Sequence, residues 1–179
     1  MVKLENTIVL VIDMQDRLMS AMHNREELEQ KASKFIRGCR VLELPILVTQ
    51  QYTKGLGETI EPLKDALGEF EPIEKITFSC CGNQEFNDIL SKSGKKNVIV
   101  TGVETHVCVQ QTILDLLADN YNVYVVADCS GSRYTKDHNY AEERMRQAGA
   151  IVTTMESVLF ELLVNADNPK RKEISNLIK

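Results

Sequence analysis

The chain has no surplus of basic residues: 26 Asp and Glu against 21 Lys and Arg leave a formal charge of -5. A nucleic-acid surface needs a basic stripe, and none is visible, so no nucleic-acid partner is expected. Long apolar runs are missing too. The longest strongly apolar stretch, IVLVI from Ile8 to Ile12, falls far short of the ~20 residues that span a bilayer. No charged leader ending in small residues is evident. A cytoplasmic protein with no membrane partner is therefore expected. The 5 cysteines are odd in number and form no CxxC; in a chain of this length they are expected to be reduced thiols rather than staples. The 3 histidines, His23, His106 and His138, form neither HxH nor HExxH, which argues against a histidine-built metal centre. Phosphate-binding loops are absent as well. The first turn after the first strand reads DMQDRL rather than GxGxxG, there is no P-loop, and no cysteine is followed by five residues and an arginine. Dinucleotide, nucleoside-triphosphate and cysteine-phosphatase chemistry are set aside on that ground, and no cofactor is expected.

What is present suits one globular domain over residues 1–179, with 43% hydrophobic and 26% charged residues. TIVLVID (7–13), PILVTQ (45–50), the more polar EPIEKITFS (71–79), KNVIVTG (96–102), NVYVVAD (122–128) and AIVTT (150–154) read as six strands. Most are continuous β-branched runs of the kind buried on both faces. Between them, 25–44, 83–94, 105–119 and 135–149 carry helical spacing. Leu28, Ala32, Phe35, Cys39 and Leu42 recur at three- and four-residue steps, and Pro45 closes that helix. Residues 51–59 read as a loop, and EPLKDALGEF as irregular or a short helical turn. SVLFELLVNA and NPKRKEISNLIK end the chain as helices. Strict strand–helix alternation with short connections predicts a three-layer, doubly wound α/β fold: a six-stranded parallel sheet, order 3-2-1-4-5-6, covered on both faces.

In that order the first and fourth strands are neighbours, and the crevice opens at their carboxyl ends. Asp13 and the turn from Gly102 to Cys108 fall there by position; Gln50 and the residues around Lys75 to Phe78 end nearby. An aspartate, a lysine and a cysteine suit attack on an acyl carbon. A helix N-terminus and a nearby ammonium favour a thiolate, a carboxylate can carry the thiol proton, and backbone N–H groups at the helix start can face an oxyanion.

LVIDMQDRL (10–18), EKITFS (74–79) and VTGVETHVCVQQTILDLL (100–117), with weaker support from VYVVADCSGSR (123–133) and ERMRQAGAIVTTMES (143–157), resemble the isochorismatase-like cysteine hydrolases. The resemblance implies Cys108 as nucleophile, Asp13 as general base and acid, and Lys75 as their positive partner. It implies a cis peptide at Val103–Glu104, the N–H groups of Glu104 and Cys108 as oxyanion donors, and a homo-oligomer. Nicotinamidases of this group carry an Asp-x-His metal motif after strand two. Thr49, Gln50 and Gln51 stand there here, followed by Tyr52, so no metal is expected. TQQYTKGLGET and GVETHVC are most similar to the metal-free isochorismatase domain-containing subgroup. True isochorismatases lack the cysteine, which points to a small amide, ureide or similar acyl compound as substrate.

Other readings accompany these. Gln51, Tyr52, Phe78 and Val107 are candidate pocket walls. Glu104 would oppose a neighbouring thiolate, so its carboxylate is expected to point away or to pair with a cation. Asp16, Arg17, Cys80, Cys81 and His106 read as structural or surface residues, and Asp128, Ser130 and Arg133 as loop-ordering ones. A non-catalytic module binding a metabolite or partner is the alternative function. A redox-responsive thiol protein, which would need a resolving cysteine within reach of Cys108, is a third.

Overall fold

The computed structural model describes residues 1–179. All of β1 (Thr7–Ile12) is buried, as its unbroken apolar run requires. It pairs in parallel with β2 (Ile46–Gln51) on one side and β4 (Asn97–Val103) on the other. The sheet is completed by β3 (Ile73–Lys75), β5 (Asn122–Gly131) and β6 (Ile151–Thr153), in the order β3-β2-β1-β4-β5-β6. Alternate strand residues point to opposite faces. Val9 and Val11 therefore join a core with α2 (Arg25–Val41), α4 (Glu61–Leu67), α8 (Met155–Leu163) and α9 (Arg171–Ile178). Ile8, Leu10 and Ile12 join a second core with α5 (Gln84–Ser93), α6 (Gln110–Ala118) and α7 (Thr135–Gln147). No helix is long and apolar enough to cross a membrane.

Several boundaries differ from the sequence expectation. The third strand covers only Ile73–Lys75 instead of 71–79. The Lys75 ammonium reaches the carbonyls of Thr77 and Phe78 at 3.2 and 3.0 Å, which draws the following chain back upon it and out of the ladder. The helix expected over 105–119 opens as a π-helical turn, Thr105–Val109, before α6. Inside the expected loop 51–59 lies a one-turn helix, α3 (Thr53–Leu56), and another, α1 (Asp16–Met19), follows β1. EPLKDALGEF contains α4, with Pro62 in its first turn and Leu63, Ala66 and Leu67 buried.

The fifth strand runs beyond residue 128 to Gly131. A register shift between Val100 and Gly102 lets Ser130 and Gly131 lie beside Gly102 and Val103. Gly102 itself has φ +137, and a Cβ there would sit 2.2 Å from the Ile12 carbonyl oxygen. Only glycine lets β4 lie this close to β1 at the mouth of the crevice.

Candidate active site

Asp13 leaves the end of β1 in a left-handed conformation, φ 51, and its side chain is buried. Its two carboxylate oxygens have separate partners. Oδ1 accepts from Thr49 Oγ1 at 2.7 Å and Oδ2 from Lys75 Nζ at 2.6 Å. Lys75 is reached from β3, two strands away, and its side chain is fully buried. Beyond Asp13 and the two carbonyls, its ammonium donates to Gln51 Oε1 at 2.7 Å. The other end of the Gln51 amide donates to the Ile76 carbonyl at 2.7 Å, so Gln51 fixes both the lysine and the loop after it. Burying an ammonium is costly unless it is paired and fully hydrogen-bonded, and this set supplies both.

Cys108 lies in the π-turn after β4, 5% exposed. Its carbonyl accepts from Thr112 Oγ1 at 2.7 Å, and its thiol lies within electrostatic reach of both the Asp13 carboxylate and the Lys75 ammonium. The thiol pKa is pushed up to about 12, first by burial and then by the Asp13 charge, against a lowering by Lys75. The ammonium favours the thiolate, in the direction that the sequence suggested. Desolvation and the Asp13 charge outweigh the cation and so favour the protonated sulfur, beside a carboxylate able to accept the proton.

The structure thus brings Asp13, Lys75 and Cys108 into one notch at the β1–β4 carboxyl ends. The Val103–Glu104 peptide is cis. The Glu104 carboxylate is turned onto Arg133, whose Nε and Nη2 donate to it at 3.0 and 2.9 Å. Of the candidate pocket walls, Tyr52 and Phe78 present half-exposed rings, Val107 is half-buried and Gln51 is buried. Thr49 and Gln51, standing where an Asp-x-His pair would be, spend their oxygens on Asp13 and Lys75. No cluster of three or more His, Cys, Asp or Glu side chains has the arrangement of a metal site.

Residues not assigned to the site from sequence pack around these three. The Gln15 amide accepts from Gln51 N at 2.7 Å and donates to Gln51 O at 3.0 Å, clamping the turn after Asp13 to the end of β2. Cys80 is buried against Thr49 Oγ1 at 3.9 Å, and its N–H donates to Thr112 Oγ1 at 3.0 Å, the same hydroxyl that binds Cys108. Gln15 lies inside the LVIDMQDRL segment, which was a usable signal; nothing local marks Thr49, Cys80 or Thr112. A separate cleft of about 210 Å³ opens between the starts of α2 and α7 and the end of β5, lined by His23, Lys31, Asp128 and His138 among others. None of Asp13, Lys75 and Cys108 lines it.

Residues 7–157 match the family model described as the isochorismatase domain. The chain belongs to the isochorismatase family. It is 39% identical over 173 residues to isochorismatase domain-containing protein 1 of Salmo salar, a stretch that covers 97% of this chain but only 61% of that protein. A structure named as the MAR1 ribonuclease of Caenorhabditis elegans superposes with a TM-score of 0.92 at 40% identity, over 99% of this chain and 91% of that one. The Escherichia coli YcaC protein, described as an octameric hydrolase of unknown specificity, superposes with a TM-score of 0.89 at 26% identity, over 98% of this chain and 86% of that one. The six-stranded parallel sheet in the order 3-2-1-4-5-6 is the fold of this isochorismatase family member and of its structural neighbours.

Proposed function

We propose that residues 1–179 form a single hydrolase domain that cleaves a small amide, or a related acyl C–N bond, through a thioester on Cys108 and without a metal. The observation that carries this reading is the buried Asp13–Lys75 pair, held at 2.6 Å, whose charges both act on the Cys108 thiol. The sulfur attacks the acyl carbon as its proton passes to Asp13. The tetrahedral oxyanion faces the N–H groups of Glu104 and Cys108. The C–N bond breaks as Asp13 hands that proton to the departing amine. Water then attacks the thioester and gives a proton to Asp13, the C–S bond breaks, and the proton returns to sulfur. The sum is amide plus water to acid plus amine, with Lys75 holding the carboxylate throughout. The high thiol pKa suits this order, because the proton leaves as the S–C bond forms rather than beforehand. In this reading the protein works in the cytoplasm, where its five free cysteines stay reduced, and assembles as a homo-oligomer, as the octameric YcaC relative does.

A screen of amides and ureides for ammonia or carboxylate release tests the proposal. Turnover should vanish in Cys108→Ala and in Asp13→Ala. Undiminished turnover in either variant refutes the mechanism, and a Cys108 shown to be reactive with no turnover on any amide favours a binding module. The ribonuclease name of the Caenorhabditis elegans relative supports a second reading, cleavage of RNA. The net charge of -5 weighs against it, and Cys108-independent cleavage of a labelled RNA would establish it.

A further inference from the structure

Glu104, Thr105 and His106, the residues leading into the nucleophile turn, are each tied to the segment that follows β5. Thr105 Oγ1 lies 3.0 Å from His138 Nδ1, and His106 Nδ1 lies 3.0 Å from Ser132 Oγ. The strongest tie is the first. The Glu104 carboxylate accepts from the Arg133 backbone N–H at 3.1 Å, from Nε at 3.0 Å and from Nη2 at 2.9 Å. Its side chain is 7% exposed, while that of Arg133 is 55% exposed. The arginine thus reaches in from the surface to grip an inward carboxylate with a planar fork, which fixes direction as well as distance. The Glu104 carbonyl is engaged too, accepting from Val107 N at 3.0 Å and Val109 N at 3.3 Å. The Glu104 N–H, by contrast, donates to no acceptor in the chain. A residue held at its side chain and its carbonyl, with its N–H left open beside the nucleophile turn, is built as an aimed donor.

We propose that Arg133 is a positioning residue: through its fork on the Glu104 carboxylate it sets the direction in which the open Glu104 N–H meets the substrate carbonyl oxygen. This rests on the acyl chemistry proposed for Cys108. A merely structural role would slow every reaction of the cysteine alike, whereas an aiming role slows only those that develop an oxyanion.

Two probes on the full chain separate these. Acylation by p-nitrophenyl acetate passes through an oxyanion: the S–C bond forms, the C–O bond to p-nitrophenolate breaks and the thiol proton goes to Asp13. Alkylation by iodoacetamide displaces iodide at a saturated carbon and needs no such donor. In Arg133→Ala, Cys108-dependent release of p-nitrophenolate should fall about ten- to a hundredfold. Alkylation of Cys108, mapped by peptide mass spectrometry, should stay within about twofold. Arg133→Lys, with charge but no fork, should recover part of the loss. Glu104→Gln, which retains a hydrogen-bonding group of the same shape, should give a smaller but equally selective loss and serves if Arg133→Ala does not fold. Equal losses in both reactions, or unchanged acylation, would overturn the proposal. Acylation that persists in Cys108→Ala would instead overturn the thioester chemistry itself.

Discussion

The Lys75 ammonium lies 2.6 Å from the Asp13 carboxylate, and neither side chain has exposed surface. The two residues are 62 positions apart in the chain, Asp13 just past the end of β1 and Lys75 at the end of β3, with β2 between those strands. Removing one member of such a pair strands the other charge in a medium that cannot solvate it. Lys75→Met should therefore cost about 3–5 kcal/mol in urea unfolding at neutral pH. The double variant Asp13→Asn/Lys75→Met should cost less than Lys75→Met alone. A Lys75→Met protein as stable as the parent would mean the pair is not buried as described.

Asp13 raises the Cys108 pKa, and in the proposed mechanism it also takes the thiol proton. Those two roles separate experimentally. In Asp13→Asn the negative charge is gone while Lys75 remains, so the thiol pKa should fall and Cys108 should react with iodoacetamide at neutral pH about tenfold faster or more. Hydrolytic turnover in the same variant should be lost. The parent protein should show alkylation rising about tenfold per pH unit through about pH 10 with no plateau, as a pKa near 12 requires. Slower alkylation of Cys108 in Asp13→Asn would contradict the electrostatic assignment.

Burial also raises the thiols of Cys80 to about 11 and Cys81 to about 12, and lifts those of Cys39 and Cys129. In the unfolded chain these groups ionise near about 8.5. Folded pKa values above unfolded ones give stability that is complete below about pH 8.5 and is lost as pH rises toward the folded values, because the unfolded state then binds fewer protons. Denaturant midpoints should fall steadily above about pH 9. A Cys39→Ala/Cys129→Ala protein, though less stable at neutral pH, should lose less on going to pH 10. A midpoint independent of pH over that range would show that the thiols are more solvated than the structure places them.

At Gly102 an added methyl would meet Ile12 backbone atoms at 2.2 and 2.7 Å, on a backbone with φ +137. Gly102→Ala should cost about 3 kcal/mol or more, the sum of overpacking and a conformation that side chains avoid. It should also depress turnover, because β1 and β4 deliver Asp13 and the Cys108 turn. Thermal melting and turnover measured on one preparation check both; a neutral substitution would show that the strands can part without harm.

Much of the layout was legible in the sequence. Runs such as TIVLVI and NVIVT admit few readings other than doubly buried strands, and the alternation of strand and helix leaves few ways to wind them. Asp13 and the 102–108 turn followed from strand order alone. Lys75 was harder, because IEK is a three-residue strand broken by charge, and its length was set by what the ammonium gathers. The extension of β5 to Gly131 depends on a register shift that hydrophobic pattern does not encode. Gln15, Thr49 and Cys80 looked ordinary because each acts on a residue remote in sequence.

By itself, then, the sequence determined the layers, the strand order and the end of the sheet at which a site forms, since these follow from local periodicity and the handedness of the connections. Tertiary structure alone decided that burial lifts the Cys108 thiol, that Gln51 binds Lys75, and that Arg133 holds Glu104. Those outcomes depend on how much water is removed around each group and on which distant side chain fills the space, and neither quantity is defined until the segments have packed.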